Sequence, residues 1–325
     1  MSTELDAAAT PLPARPRRGA VELRMVIPFI GLPLLLVGIA FLQPRVLSYF
    51  GATLLLQFSM PLVFATMGQM CILAAGDVDL GIGPFISLVN CISATWLASS
   101  GLAGAAALTA CVLGYAAMGA LVQWRALPSI VVTLGASFIW LGLALSVLPS
   151  PGGSAPEWLP QIFGWQPPFV PMPVAVALVL ALLGNQLLMR TGYGAILRGV
   201  GGNPRALRQA GWSVFKARVA LYACAGVCGV LAGLSLTGLN TTGDPWSGNQ
   251  YTLLSIASAI VGGASFSGGI VSPVGAVVGA ITMLLTGSIL SFLNVSTDWQ
   301  LSLQGGLLIV VLGLRALLGR KSREV

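Results

Sequence analysis

From residue 25 onward the chain is a succession of long apolar runs separated by short polar breaks. The runs cover about Met25–Gln43, Phe50–Ala75, Pro84–Ser99, Leu102–Gln123, Ser129–Leu148, Pro171–Met189, Val219–Asn240, Tyr251–Gly262, Val271–Leu293 and Trp299–Leu318. The first five lie near the ~20 residues that the hydrocarbon core of a bilayer requires of a helix, while Tyr251–Gly262 is markedly shorter. The pattern predicts an all-α polytopic bundle of ten spans, here residues 25–318, between a Pro-, Ala- and Arg-rich tail over residues 1–24 and a basic tail over 319–325.

The breaks carry the polar chemistry, and one of them orients the rest. Arg190–Arg218 holds Arg190, Arg198, Arg205, Arg208, Lys216 and Arg218 and no acidic residue. The positive-inside rule places such a loop in the cytoplasm. With ten spans, alternation puts Arg125 and both tails on the same side, and Glu157, Asp244 and Asp298 on the other. Among the Lys and Arg residues only Arg45 then faces out. Pro149–Val170, rich in proline and carrying Trp158 and Trp165, suits the outer face, where tryptophan anchors at headgroup level.

Inside the basic loop the residues spell a short helix, Pro204–Ala210. Asn203 is a good N-cap, Pro204 fits the first helical position and Gly211 fits the left-handed position after the end. Ala206, Leu207 and Ala210 share a face by i, i+3, i+4 spacing, with Arg205 and Arg208 on another. Two readings are open: a docking element for a soluble partner, or an interfacial helix resting on anionic headgroups.

Two further breaks are glycine-rich. Gly76-Asp77-Val78-Asp79-Leu80-Gly81-Ile82-Gly83-Pro84 interrupts helix geometry and places two carboxylates beside apolar runs. Such a segment at membrane depth is tolerated only when buried in protein or lining water. It reads either as a broken segment beside a transport path or as a tight interfacial turn with solvated carboxylates. Gly262-Gly263-Ala264-Ser265-Phe266-Ser267-Gly268-Gly269 is its counterpart late in the chain. Paired breaks of this kind point to a substrate path, which makes Asp79, Gly81, Gly83, Gly262, Gly263, Ser265 and Gly268 the candidate path residues. Gly229/Gly233 and Gly275/Gly279 read as close-packing pairs on helices.

Composition narrows the chemistry. The chain is 56% hydrophobic and 8% charged, against roughly a quarter charged in soluble domains. The excess of 16 basic over 9 acidic residues sits mostly in the tails and the basic loop, as membrane orientation requires, so it does not point to nucleic acid. The absence of histidine removes the commonest general base and metal ligand. Cys71, Cys91, Cys111, Cys224 and Cys228 all lie in apolar runs and read as small buried hydrophobes. The N-terminal arginines and the run after them resemble a signal peptide, but Phe41-Leu42-Gln43-Pro44 offers no small-residue cleavage site, so the run reads as a retained first span. No GxxxxGK[ST] occurs, so the chain carries no phosphate loop of its own.

The order GDVDLGIG, LPSIVVTLGASFIWLGLAL (Leu127–Leu145), GVGGNPRALRQAGW and VGGASFSGGIVSPVGAVVGA resembles the permease subunits of ribose-type sugar ABC importers. The likeness covers about residues 25–318. It implies a bacterial inner-membrane importer subunit for a small polar solute, most simply a monosaccharide. It also implies a second permease subunit (homo- or heterodimer), a cytoplasmic ATP-binding subunit and a periplasmic substrate-binding protein. The chain itself then holds no cofactor, since ATP and Mg belong to the partner ATPase. Gly202, Asn203, Ala206 and Gly211 match the family's ATPase-coupling segment, and Leu207 and Ala210 extend it on the same helix. The chain departs where Pro204-Arg205 replaces the usual acidic residue, where Leu207 replaces a second alanine, where Asp77 stands for the commoner glycine and where Gly81 stands for serine. On that basis Asp79 is expected to matter more than Asp77. Branched-chain amino acids, nucleosides and sugar-like signals are alternative cargoes. An ion-coupled carrier using Asp77 or Asp79 is a rival mechanism, and an intramembrane enzyme is disfavoured by the lack of a clustered acid–base pair.

Overall fold

The computed structural model describes residues 18–296 and scattered positions between 299 and 313, with side chains described from residue 29. The run Trp299–Leu318, Asp298 and most of both tails therefore lie outside the continuously described residues.

Among the described residues all regular structure is helical. The first helix, α1 (Arg18–Leu42), ends in a 3₁₀ turn at Pro44–Leu47 and is followed by α2 (Tyr49–Leu56) and α3 (Ser59–Ala74). Then come α4 (Ile82–Ala94), α5 (Trp96–Ser99), α6 (Gly101–Arg125), α7 (Ser129–Val147), α8 (Trp158–Phe163) and α9 (Met172–Gly184). A π-helical turn at Asn185–Arg190 leads to α10 (Gly192–Gly202), α11 (Pro204–Gln209), α12 (Val214–Asn240), α13 (Gln250–Val261) and α14 (Pro273–Phe292).

Six segments are long and apolar enough to cross a membrane: Ile82–Ser99, Gly101–Arg125, Ser129–Val147, Met172–Arg190, Val214–Asn240 and Pro273–Phe292. The pair α2–α3, bent by 45°, makes a seventh. Phe29–Leu42 and Gln250–Val261 are apolar but shorter. The chain is thus an all-α membrane bundle with six or seven candidate spans in the described residues.

Helix α12 is the centre of the bundle, and its small residues are the reason. A methyl group added at Gly229 would come within 2.7 Å of the Phe85 ring of α4, and one at Gly226 within 2.8 Å of Tyr115 on α6. Gly233 faces Val89 in the same way, while Gly275 and Gly279 of α14 face Gly262 and Ser258. Both glycine pairs therefore act as close-packing positions, where helices gain van der Waals contact that lipid cannot supply. Around them Leu221, Tyr222, Ala225, Phe85, Ile86 and Tyr115 are fully buried.

Three expectations need correction. Cys224 is exposed on the flank of α12 and Cys228 is only half-buried, although Cys71, Cys91 and Cys111 are buried. In a membrane protein an apolar position need not face inward, because lipid is as good an apolar solvent as the core. Pro149–Val170 is not all loop, since α8 forms within it and packs on the end of α12 through Leu159 and Phe163 against Gly238. The basic loop holds a second helix, α10, ahead of the expected one.

Candidate functional site

The polar breaks converge on the end of the bundle where the basic loop lies. Helix α11 has the predicted ends. The Asn203 side chain accepts from the Ala206 N–H at 2.9 Å, Pro204 opens the helix, and Gly211 takes φ +80° just past it. Gly211 N–H donates to Arg208 C=O and Trp212 N–H to Leu207 C=O, which closes the last turn. The predicted apolar strip divides, however. Leu207 is buried against α10 at Gly199, while Ala206 and Ala210 are exposed beside Arg205 and Arg208. Six residues cannot hold a helix in water unaided; Leu207 anchors this one to its own chain and leaves the alanine and arginine positions outward.

The turn after α3 is buried, so the reading of a solvated interfacial turn fails. Asp77 is 7% exposed and Asp79 0%. Arg218, near the start of α12, reaches Asp77 Oδ2 at 3.5 Å, and the Tyr222 hydroxyl donates to the same oxygen at 3.1 Å. Asp79 accepts from the Tyr115 hydroxyl at 2.7 Å and from Gly81 N–H at 2.7 Å. The Gln69 amide, oriented to satisfy both, pairs with the backbone N–H and C=O of Asp79 at 3.2 Å each. Thr133 of α7 donates to Val78 C=O and accepts from Leu80 N–H. A buried charge is tolerated only when paired or hydrogen-bonded in this way. Both carboxylates are held, each by a different helix.

The late glycine segment closes onto the same place. Gly269 N–H donates to Ala74 C=O at 3.0 Å. A methyl added at Gly268 would lie 2.7 Å from Gly201 Cα and 2.9 Å from Gly76 Cα; one at Gly269 would lie 2.7 Å from Gly202 Cα. Three segments remote in sequence, 74–76, 201–202 and 268–269, thus touch backbone to backbone. Gly76 at φ +80°, Gly263 at +103° and Gly268 at +79° also occupy the left-handed region that other residues avoid.

Deeper in the bundle α4 and α13 begin side by side. Gly83 N–H donates to Thr252 Oγ1 at 3.1 Å and Gly248 N–H to Ser87 Oγ at 2.9 Å. From there α4 runs toward the far end and α13 toward the basic end. At the far end Asn90 gathers the segment between α12 and α13. It donates to Thr237 Oγ1 and Thr242 C=O and accepts from Asp244 N–H and the Ser247 hydroxyl.

Of the candidate residues, Asp79, Gly81, Gly83, Gly262, Gly263 and Gly268 are buried within this one chain, and Ser265 is half-buried with its hydroxyl on Ser267 Oγ at 2.7 Å. The basic-end members, Gly262, Gly263, Ser265 and Gly268, lie with Gly201 and Gly202, while Asp79, Gly81 and Gly83 continue inward. Sequence reasoning missed Arg218, Tyr222, Tyr115, Gln69 and Asn90. A signal existed for two of them: Arg218 and Tyr222 stand at i and i+4, one face of the helix that starts α12.

The comparisons with known proteins agree with this architecture. A family model described as the permease component of a branched-chain amino acid transport system matches residues 51–312. The D-allose transport system permease protein AlsC of Escherichia coli (strain K12) is 28% identical over 264 residues, covering 79% of this chain and 81% of that protein. The ribose import permease protein RbsC of Bacillus subtilis (strain 168) is 28% identical over 305 residues, covering 90% and 92%. The xylose transport system permease protein XylH of Haemophilus influenzae is 37% identical over 141 residues, but this chain spans only 38% of that protein's length. No solved structure matches the chain. With the greater part of its length matched by that family model, the chain belongs to the family of permease components of the branched-chain amino acid transport type.

Proposed function

We propose that this chain is the membrane-spanning permease subunit of an ATP-driven importer for a monosaccharide, working in the bacterial inner (plasma) membrane. The allose and ribose permeases, matched over most of their length, support a sugar as the cargo. The single observation that carries the mechanism is the contact of Gly201 and Gly202 with Gly76, Gly268 and Gly269. In this reading a partner ATPase, which binds ATP and Mg, docks on the outward side of α11. Movement of α11 travels along α10, and the glycine contacts pass it to both breaks at once. Asp79, Gly81, Gly83, Gly262, Gly263, Ser265 and Gly268 then frame the path from behind, and a second permease subunit with a periplasmic binding protein completes it.

Asp79 is engaged on both oxygens and enclosed, which argues against its serving as a coupling-ion site. Chain direction and the gathering of basic residues at one end support ten spans with both termini in the cytoplasm.

Two measurements test this. Purified complex in sealed vesicles is expected to accumulate labelled monosaccharide on ATP and to ignore ionophores; uptake driven by an ion gradient without ATP refutes the assignment. Cysteines introduced by Ser154→Cys and Arg205→Cys in a cysteine-free background are expected to label from opposite sides, and labelling of both from outside refutes the topology.

A further inference from the structure

We infer that Trp246 and Asn249, on the irregular segment between α12 and α13, form a sugar-contacting surface in the translocation path. The inference rests on the monosaccharide reading above and deepens it, because the candidate path residues other than Ser265 are buried within the chain.

Depth is the first observation. Ala94 ends α4 toward the far end of the bundle, with its carbonyl accepting from Ser154 N–H and its side chain against Gly243. Gly248 bonds to Ser87, seven residues earlier on the same helix, and Thr252 bonds to Gly83. At 1.5 Å per residue these contacts lie about 10 Å and about 16 Å below Ala94, about a third and about half of a ~30 Å hydrocarbon core. Residues 241–249 therefore descend into the membrane without regular structure, and α13 supplies only the remaining half of the crossing.

Exposure is the second. Trp246 is 52% exposed, and Asn249 and Gln250 are exposed. The Asn249 amide makes no hydrogen bond within the described residues, whereas Gln250 lies beside the Tyr251 hydroxyl. Irregular backbone and an unpaired amide at this depth cannot face lipid, where each unsatisfied group costs several kcal/mol; they must face water or protein. The backbone is pinned from behind, through Asp244 and Ser247 on Asn90 and Gly248 on Ser87. A fixed backbone presenting an indole and an amide matches a monosaccharide, whose C–H face packs on an aromatic ring and whose hydroxyls pair with an amide.

The test uses the full complex in cells. In a cysteine-free background, Asn249→Cys is expected to react with a small membrane-impermeant thiol reagent added from outside, and saturating sugar with its binding protein to slow the reaction. Phe138→Cys, half-way along the apolar helix α7 and 69% exposed, serves as the control expected not to react. Trp246→Ala is expected to lower uptake about tenfold, the loss of one stacked ring, with the complex intact, and Trp246→Phe to restore most of it. An Asn249→Cys that stays unreactive, with or without ATP cycling, overturns the inference and leaves this face as a subunit contact. Reaction that sugar does not slow, with full uptake by Trp246→Ala, overturns the sugar contact. If the parent complex takes up no monosaccharide at all, the failure lies with the cargo assignment, since reagent access at Asn249 is read without transport.

Discussion

At the basic end of the bundle Gly76, Gly201 and Gly268 meet backbone against backbone, whereas at the far end Asn90 holds the 241–249 segment through side-chain hydrogen bonds. The first joint fails when an atom is added, because there is no side chain to move aside. The second fails when an atom is removed, because its strength lies in one amide. A contact of the first kind transmits displacement directly, since packed backbone has little compliance. A contact of the second kind can be released and remade at ordinary hydrogen-bond cost. In the proposed function the basic end therefore transmits force and the far end positions the cargo surface.

The largest effect is expected at Gly268. An alanine there meets Gly201 Cα at 2.7 Å and must also hold φ +79°. Left-handed strain of about 1–2 kcal/mol adds to an overpacking cost of about 1–3 kcal/mol. Thermal unfolding of the purified permease should show a clear loss of stability. Gly211→Ala shares the left-handed backbone, at φ +80°, but nothing lies within 4 Å, so only the strain of about 1 kcal/mol remains. Equal losses in the two variants would mean that the joint contributes nothing beyond backbone conformation.

The next effect is at Asp77. Family resemblance marks it as replaceable by glycine, but here it pairs with Arg218 and Tyr222. Breaking a buried pair costs about 3–5 kcal/mol, and the 18% exposure of the Arg218 side chain puts this one at about 3 kcal/mol or below. Asp77→Ala should lower the unfolding midpoint, and adding Arg218→Leu, which removes the stranded charge, should recover part of it. Absence of any recovery would show that the two residues are not coupled.

The smallest of the three is Asn90→Ala, about 2 kcal/mol for partners left unsatisfied. Its signature is local: faster hydrogen exchange in residues 241–249, with ATPase docking unchanged. If exchange accelerates at the basic end as well, the two ends are not independent.

Much of the basic end was legible because its signals are local. Asn203, Pro204 and Gly211 specify helix ends within a few residues of themselves. The glycine breaks were legible as breaks. What each glycine touches was not, because glycine in a sequence says only that a side chain is unwelcome. The Gly201–Gly268 contact joins residues 67 positions apart (268 − 201), and Arg218–Asp77 joins residues 141 apart (218 − 77). Periodicity grouped Ala206, Leu207 and Ala210, but could not tell that Leu207 turns to its own chain while the alanines turn out. Likewise nothing in the apolar run of α12 marks Cys224 as facing outward. Asn249 escaped notice because, although the run Tyr251–Gly262 is visibly short, the depth of the segment before it emerges only from the Gly83–Thr252 and Ser87–Gly248 bonds.

The most direct test of force transmission is Gly201→Ala. This residue lies in α10, away from the outward surface of α11, and its added methyl would press on Ala75 and Gly268. With the ATPase and binding protein reconstituted, the account predicts that the complex co-purifies intact and hydrolyses ATP near the parent rate, while monosaccharide uptake per ATP hydrolysed falls at least about tenfold, the scale of an overpacking cost above ~1.4 kcal/mol. Uptake per ATP at the parent value, in an assembled complex, would contradict it.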